Sequence, residues 1–303
     1  MMSTRTLGVD VGGTSISFID MYSPDRIISE RCISTPKDVG NIINAIIENV
    51  QQMIDVKSID KPLNLGIAIA GQVDQKKKSI ILTPNLPFSK DYPIGSILED
   101  SLKLKVLVDN DANSAAIGEK VYGRAVDMED FISVTLGTGI GSGIFVRGQI
   151  LHGKTGAGGE AGHIKVDSNG LLCACGGEGC LELYASGLAI ARLSKMRTGV
   201  EKNAKEICES AIAGNKTSKE ILNEAGEWLG RGLITLVNLF NPEAIFFSGS
   251  LAKAPEDYFA PAFKIVKERS FGTLGKELKL EVSPLADKIG VIGAAAIGHG
   301  HKL

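Results

Sequence analysis

One histidine and three cysteines lie close together in the stretch GHIKVDSNGLLCACGGEGCLE, which runs from Gly162 to Glu182. They are His163, Cys173, Cys175 and Cys180. Three thiols and one imidazole form the ligand set of a structural Cys3His zinc site, so we expect them to bind a closed, tetrahedral Zn2+. Gly176, Gly177 and Gly179 would let the chain bend around the ion. Because a closed site has no open coordination position, the metal would order the loop rather than activate water. The alternative is a set of reduced cysteines on a loop.

Two carboxylates flank this cluster. Glu160 lies three residues before His163, and Glu182 lies two residues after the last cysteine. Folding of the loop around a metal would bring both carboxylates toward one place. Carboxylate oxygens accept hydrogen bonds from hydroxyl groups, so carboxylates and an imidazole together suit a polyol ligand.

A third group of polar residues, Asp109, Asn110 and Asp111, ends the apolar stretch VLVDNDAN. It precedes a helical pattern, which is where α/β folds usually build their sites. From the residues alone, the favoured interpretation of Asp111 is the N-cap of the following helix.

Two glycine-rich turns share one plan. LGVDVGGTSISFID and SVTLGTGIGSGIFV each contain an apolar strand, a turn of glycine and threonine, and a second strand. Glycine accepts positive φ and lacks a Cβ, so the backbone N–H groups of such turns can converge on an anion. The pair could hold one polyphosphate from both sides, although each alone could be a plain tight turn. The sequence has no Walker-type phosphate loop, and we interpret GAGGEA at 156–161 as a chance match to the dinucleotide pattern.

The elements that carry these residues alternate between strand and helix patterns, which predicts an α/β architecture. Helices are expected at about 41–53, 113–123 and 218–238, with another past Pro261 and a closing helix over GVIGAAAIGHG. With 303 residues, the chain is long enough for two domains.

Composition excludes several classes of protein. The 33 basic and 35 acidic residues give a net charge of -2, which is unlike a nucleic-acid binder. No stretch has the roughly 20 apolar residues of a membrane helix, and the N-terminus lacks a signal-peptide pattern. We therefore expect a cytoplasmic protein, in which a reducing environment favours metal binding or catalysis over disulfides for the clustered cysteines. We expect Cys32 and Cys208 to be ordinary buried or neutral residues.

The sequence resembles the ROK family of sugar kinases, within the superfamily that includes actin and the hexokinases. The resemblance rests on DVGGT at 10–14, VDNDANSAAIGE at 108–119, LGTGIGSG at 136–143, GEAGHI at 159–164 and CACGGEGCLE at 173–182. Two positions depart from the family pattern. Ala161 stands where a larger apolar residue is usual, and the later S-G-G motif is SGS at 248–250.

The resemblance implies an α/β fold of the two-domain actin-like (ribonuclease H-like) ATPase type with a cleft between the domains. We expect a small domain at 1–118, joined by the C-terminal helix 289–303, and a large domain at 119–288. The resemblance makes Asp111 the general base and assigns the sugar to Gly71, Asn85, Asn110, Asp111, Glu160, His163 and Glu182. It assigns Mg-ATP to Asp10, Gly12, Gly13, Thr14, Gly137, Thr138, Gly139 and Gly249. Magnesium suits the oxygen ligands available there.

The implied function is ATP-dependent phosphorylation of a hexose at its 6-hydroxyl, most of all glucose, by a homodimer or higher homo-oligomer with structural zinc. N-acetylmannosamine, allose, fructose and β-glucosides are alternative substrates. A sugar-responsive repressor is a further alternative, but DVGGT begins at residue 10 and leaves no room before it for a helix-turn-helix domain. An ATPase module without a sugar would leave Glu160, His163 and Glu182 without a purpose.

Overall fold

The computed structural model describes residues 4–54, 62 and 64–299. The chain forms two compact units. Unit 1 consists of Met1–Asp127, Gly148–Gly158 and Lys288–Leu303, and unit 2 consists of Met128–Arg147 and Gly159–Asp287. Both units combine strands with helices, as the sequence predicts.

Unit 1 contains most of the N-terminal elements and the last helix. Numbered along the whole chain, its elements are β1 (Thr6–Val11), β2 (Ser15–Ser23), β3 (Arg26–Ser34), α1 (Val39–Ile54), β4 (Asn64–Ile69), β5 (Gln72–Asp74), β6 (Ser79–Leu82), α2 (Ile94–Leu102), β7 (Lys105–Asn110), α3 (Asp111–Tyr122), β10 (Gln149–Ile150) and α10 (Ile289–Gly298). Its main sheet has the order β3-β2-β1-β4-β7. Strands β1, β4 and β7 run parallel, whereas β1–β2 and β2–β3 are antiparallel.

The alternation of side chains along β1 separates the two faces of this sheet. Leu7, Val9 and Val11 join the hydrophobic core together with residues of α1 and α2. The intervening residues, Gly8 and Asp10, point to the opposite face. That face is covered by α10, whose backbone comes so close that a Cβ on Gly8 would overlap it.

Helix α10 packs equally closely on β4 and α3. A Cβ on Gly66 would overlap the carbonyl of Ala294, and a Cβ on Gly118 would lie 3.0 Å from the Cα of Gly293. This packing explains why the whole of α3 belongs to unit 1. The unit extends to Asp127, and it also contains 148–158 and the C-terminal helix. The division into domains at 118/119 stays a prediction.

Unit 2 repeats the plan of an antiparallel hairpin followed by parallel strands. Its elements are β8 (Phe131–Leu136), β9 (Ile140–Val146), α4 (Glu182–Ala185), α5 (Gly187–Thr198), α6 (Ala204–Ile212), α7 (Lys216–Phe240), β11 (Ala244–Ser248), α8 (Glu256–Arg269), α9 (Leu274–Glu277) and β12 (Lys279–Val282), with 3-10 turns at Ala161–His163 and Ser250–Lys253. Strands β9, β8, β11 and β12 follow one another in its sheet. The ring of Phe131 stacks on Phe145 at 4.6 Å, and Phe247 contacts Phe259 of α8 at 5.4 Å between ring centroids.

One predicted helix begins earlier than expected. Helix α8 starts at Glu256 and contains Pro261, although proline usually ends a helix. The ring of Pro261 packs against α7 at Gly226, where an added Cβ would lie 2.8 Å from the proline Cγ. Close packing between α7 and α8 thus accommodates the proline in the second turn. In the part of the chain that is described, no helix combines the length and the apolar character needed to cross a membrane.

Candidate active-site residues in each unit

The parallel strands of unit 1 bring several predicted site residues to one edge of the sheet. Asp10 on β1 is in register with Ala68 on β4, which is in register with Asp109 on β7. The carboxyl ends of these strands lead into Gly12, Gly71 and Asp111, respectively. Sites of α/β proteins form at this edge because the chain leaves the sheet there and its side chains are free to contact a ligand.

The residue that caps α3 is Asn110, so the interpretation of Asp111 as the N-cap is wrong. The Asn110 side chain accepts hydrogen bonds from the backbone N–H groups of Ala112 and Asn113, at 2.9 and 3.1 Å. Its Nδ2 donates to the carbonyl of Gly71 and to Asp111 Oδ1, both at 3.0 Å. Asp111 is the first residue of the helix and is partly exposed. Its carboxylate is therefore oriented by Asn110.

Asp10 is a half-buried carboxylate close to α10. Burial, and to a smaller extent the negative charge of Asp111, raise the pKa of Asp10 to about 7. A Cβ on Gly290 would collide with Asp10 Oδ2, so the carboxylate lies against the first turn of this helix. Two neighbouring carboxylates form a set of hard oxygen donors that fits a cation such as Mg2+.

The first glycine-rich turn joins β1 to β2. The backbone N–H of Gly12 donates to the carbonyl of Ser15 at 3.0 Å, and Gly13 and Thr14 are exposed. A Cβ on Gly13 would lie 3.3 Å from the Cβ of Asn85, so this predicted sugar residue lies beside the turn. Neither glycine of this turn has a positive φ.

The second turn joins β8 to β9 and likewise lacks positive φ at Gly137 and Gly139. The carbonyl of Gly137 accepts a hydrogen bond from the N–H of Gly187, at 2.8 Å, while Thr138 is exposed. A Cβ on Gly139 would lie 2.9 Å from Glu182 Oε2. Glycine is thus favoured at this position by the room that it leaves for a carboxylate. Gly249 packs on the backbone of Leu136, directly before the turn.

The four predicted zinc ligands come together in unit 2. One ligand atom of each of them lies within 4.8 Å of all the others: His163, Cys173, Cys175 and Cys180. The Sγ atoms of Cys175 and Cys180 are 3.6 Å apart, and Cys173 Sγ is 3.7 Å from His163 Nδ1. These separations fit a tetrahedron with bonds of about 2.0–2.3 Å to nitrogen and sulfur. Of the remaining cysteines, Cys208 is partly buried and Cys32 is exposed on strand β3.

The predicted sugar carboxylates of unit 2 adjoin this cluster. Glu182 Oε1 is 3.5 Å from His163 Nδ1 and 3.4 Å from Cys173 Sγ. Glu160 is exposed and begins the 3-10 turn that ends at His163, where its carbonyl accepts the N–H of that histidine at 3.0 Å. The histidine therefore contacts the carboxylate of Glu182 directly and the backbone of Glu160.

Several residues with polar contacts near these sites were not predicted. His152 pairs with Asp109, the ammonium group of Lys165 is 2.9 Å from Cys180 Sγ, and Gly290 borders Asp10. Asp109 was recognised only as a polar residue at the end of a strand. Sequence offered no signal for the other three, since the fold alone brings them to their partners.

Comparison with known proteins identifies the family. Residues 6–301 match the ROK family. The chain belongs to the ROK family. A glucokinase of Thermotoga maritima is 30% identical in an alignment of 316 positions, gaps included, which covers 98% of each chain. The xylose repressor of Bacillus subtilis is 32% identical over 302 residues, which cover 98% of this chain and 78% of the repressor.

Solved structures of ROK proteins have the same fold. The ROK glucokinase of Streptomyces griseus in complex with glucose and AMPPNP superposes with a TM-score of 0.86 and 32% identity, over 98% of this chain and 99% of that one. The predicted α/β fold of the two-domain actin-like type is thereby confirmed.

Proposed function

We propose that this ROK protein is an ATP-dependent sugar kinase that phosphorylates a hexose, most of all glucose, at its 6-hydroxyl. The observation that carries the proposal is the arrangement around Asp111, whose carboxylate begins α3 and is held by Asn110 rather than used as a cap. Similarity to glucokinases over nearly the whole chain supports the same activity.

In this proposal Asp111 acts as the general base. A primary alcohol is a poor nucleophile, and a carboxylate within hydrogen-bond reach accepts its proton as the bond to phosphorus forms. The amide of Asn110 holds one oxygen of Asp111 at 3.0 Å. Asn110, Asn85 and Gly71 would contact the sugar from unit 1.

Glu160, His163 and Glu182 would bind further sugar hydroxyls from unit 2. His163 turns Nδ1 toward Cys173, so a metal at Nδ1 would leave Nε2 on the other side of the ring for a hydroxyl. Zinc held by this residue with Cys173, Cys175 and Cys180 would fix the loop and supply no reactive water.

The two glycine-rich turns would hold the triphosphate of ATP: Gly12, Gly13 and Thr14 from one unit, and Gly137, Thr138 and Gly139 from the other. Gly249 would lie near the adenosine. Asp10 would hold Mg2+, which neutralises charge on the phosphates when it is bound. Two further points stay predictions. One is a cleft in which the sugar residues of unit 1 and of unit 2 contact the same hexose, and the other is a homo-oligomer.

The nature of the sugar remains the open part of the proposal. N-acetylmannosamine, allose, fructose and β-glucosides are alternatives to glucose. Similarity to the xylose repressor favours a second candidate function, in which the protein binds a sugar as a regulator. A regulator would not consume ATP when the sugar is added.

The test is phosphorylation of a panel of sugars by the purified protein with Mg-ATP, followed by a coupled ADP assay. The panel contains glucose, mannose, fructose, allose, glucosamine and N-acetylmannosamine. We expect glucose to be preferred, and Asp111→Asn to lower kcat by roughly 10²–10⁴-fold. Asp100→Asn, which changes an exposed carboxylate of α2, is the matched control and should keep wild-type turnover. Sugar-independent ATP consumption, or full activity of the Asp111 variant, would refute the proposal.

A further inference from the structure

A histidine outside the predicted site contacts the turn that carries the proposed base. His152 Nε2 lies 2.7 Å from Asp109 Oδ2, and the Asp109 side chain is only 6% exposed, against 30% for His152. Asp109 is followed directly by Asn110 and Asp111. The side chain of Asp109 is therefore buried immediately before the two residues that the proposed function places at the sugar.

The other oxygen of Asp109 is also fully engaged. Oδ1 accepts hydrogen bonds from the backbone N–H of Asn110 at 2.7 Å, and from the side chains of Gln75 and Asn113, both at 3.1 Å. His152 is the partner of the remaining oxygen. Because a buried carboxylate needs donors on both oxygens, loss of His152 leaves Oδ2 desolvated and without that hydrogen bond.

The segment 148–158, which carries His152, is held against the rest of unit 1 by several contacts. The carbonyl of Thr155 accepts a hydrogen bond from Gln72 Nε2 at 2.9 Å, and the N–H of Gly158 donates to the carbonyl of His152 at 2.9 Å. Gly156 has a φ of +77°, and a Cβ there would overlap the carbonyl of Val73. His152 is thus held in place by its own segment and acts on Asp109 from a fixed position.

The hydrogen bond persists in both charge states of the imidazole. Burial lowers the pKa of His152, but the hydrogen bond and the charge of Asp109 outweigh it and raise the pKa above its ordinary value. A protonated ring donates from Nε2, and so does the neutral tautomer that carries its proton there. Ion pairs between two exposed side chains contribute little to stability, but in the pair of His152 and Asp109 the carboxylate is buried, so water screens the interaction less.

We propose that His152 is a positioning residue for phosphoryl transfer, an inference that rests on the proposed function. By holding Asp109 Oδ2, it keeps Oδ1 on the N–H of Asn110, and Asn110 in turn orients Asp111. When this chain of contacts is broken, Asn110 is still held by the carbonyl of Gly71 and by the first turn of α3, so it keeps its place at the sugar, but the base is misaligned with the hydroxyl. The loss therefore falls on kcat rather than on KM.

The experiment compares His152→Ala and His152→Gln with wild type in the sugar-kinase assay. We expect His152→Ala to lower kcat by roughly 10- to 100-fold, with KM for sugar and ATP changed by less than about threefold. The amide of His152→Gln can donate to Asp109 and should restore most of kcat. Lys154→Ala, an exposed residue of the same segment, is the matched control and should behave as wild type.

Two further measurements separate positioning from general stability. In an Asp109→Asn background, His152→Ala should lower kcat little further, because both changes remove the same contact. The imidazole ¹⁵N signals of His152 should report a proton on Nε2 in wild type and should change in Asp109→Asn. The ¹⁵N measurement does not depend on catalytic activity, so it also tests the contact in a variant that is inactive.

The inference is overturned if kcat of His152→Ala stays within about twofold of wild type, or if His152→Gln is as slow as His152→Ala. It is also overturned if the ¹⁵N signals of His152 are the same in Asp109→Asn as in wild type. Wild-type protein that phosphorylates no sugar would instead refute the proposed function, and the role of His152 with it. Wild-type turnover with unimpaired His152 variants would refute the inference alone.

Discussion

Replacing Asp10 by Asn should remove a pH-dependent destabilisation of the protein free of magnesium and nucleotide. Burial, followed by the charge of Asp111, raises the pKa of Asp10 from 3.8 to about 7. Stability from a group whose pKa is raised by folding is complete below its unfolded pKa, and it is lost as pH rises through the folded value. The free energy of unfolding of wild type, relative to Asp10→Asn, should therefore fall between about pH 4 and about pH 7.

The size of the effect follows from the same pKa. A rise from 3.8 to about 7 corresponds to an upper bound of about 4 kcal/mol. Two features reduce it. Asp10 is only half-buried, and the first turn of α10 beside it favours the charged form by about 0.3–2 kcal/mol. We therefore expect a difference of about 2 kcal/mol to develop across this range of pH.

The assay is urea unfolding of both proteins at several values between about pH 4.5 and about pH 8, followed by far-UV circular dichroism. Other carboxylates also titrate in this range, so the quantity that matters is the difference between wild type and Asp10→Asn. Asp100→Asn, with an exposed carboxylate, should run parallel to wild type. If the free energy of unfolding of Asp10→Asn depends on pH in the same way as that of wild type, burial and Asp111 do not raise the pKa of Asp10, and the reasoning fails.

Three other substitutions test the close contacts of the fold and the metal cluster. Gly290→Ala should displace the Asp10 carboxylate, because the new methyl group would collide with it. In the kinase assay KM for Mg-ATP should rise and kcat should fall by about tenfold or more. Unchanged kinetics would contradict the contact between Gly290 and Asp10. Gly66→Ala should lower the free energy of unfolding by about 1–3 kcal/mol or more, because its methyl overlaps the carbonyl of Ala294; a urea midpoint equal to that of wild type would count against it. Cys180→Ser should reduce the amount of bound zinc and raise KM for sugar, because it removes one of the four candidate ligands. Zinc content is measured by mass spectrometry of protein purified without chelator. Equal zinc content in the variant and in wild type would argue against a Cys3His site.

The sequence predicted helices α1, α3, α7 and α10 well because their patterns are local, but it did not predict α2, α4, α5, α6 or α9. Helix α1 was expected at about 41–53 and spans Val39–Ile54, and α7 was expected at 218–238 and spans Lys216–Phe240. The two hairpins that contain the glycine-rich turns were likewise apparent from paired apolar runs. Helix α8 was misjudged, since a proline predicts a helix end unless packing, here against Gly226, outweighs it.

The site shows where local reasoning stops. Composition and spacing were enough to gather His163 and the three cysteines, because ligands of one loop need only a bend to meet. The sequence favoured Asp111 as the cap, whereas the cap is Asn110, since both residue types cap helices and only the backbone angles and hydrogen bonds distinguish them. The role of the glycines in the two turns stays a prediction; none of them has a positive φ, and an added Cβ would come within 3.0 Å of a neighbour only at Gly139.

By itself, the sequence determined the alternation of strands and helices, the paired glycine turns and the composition of the cluster formed by His163 and three cysteines. The tertiary structure alone decided that His152 reaches Asp109, far away along the chain, and that α10 lies against Asp10 and Gly66. These contacts depend on the register of parallel strands and on how closely a helix can approach a sheet. Both are settled by packing between distant segments, which leaves no periodic trace in the residues themselves.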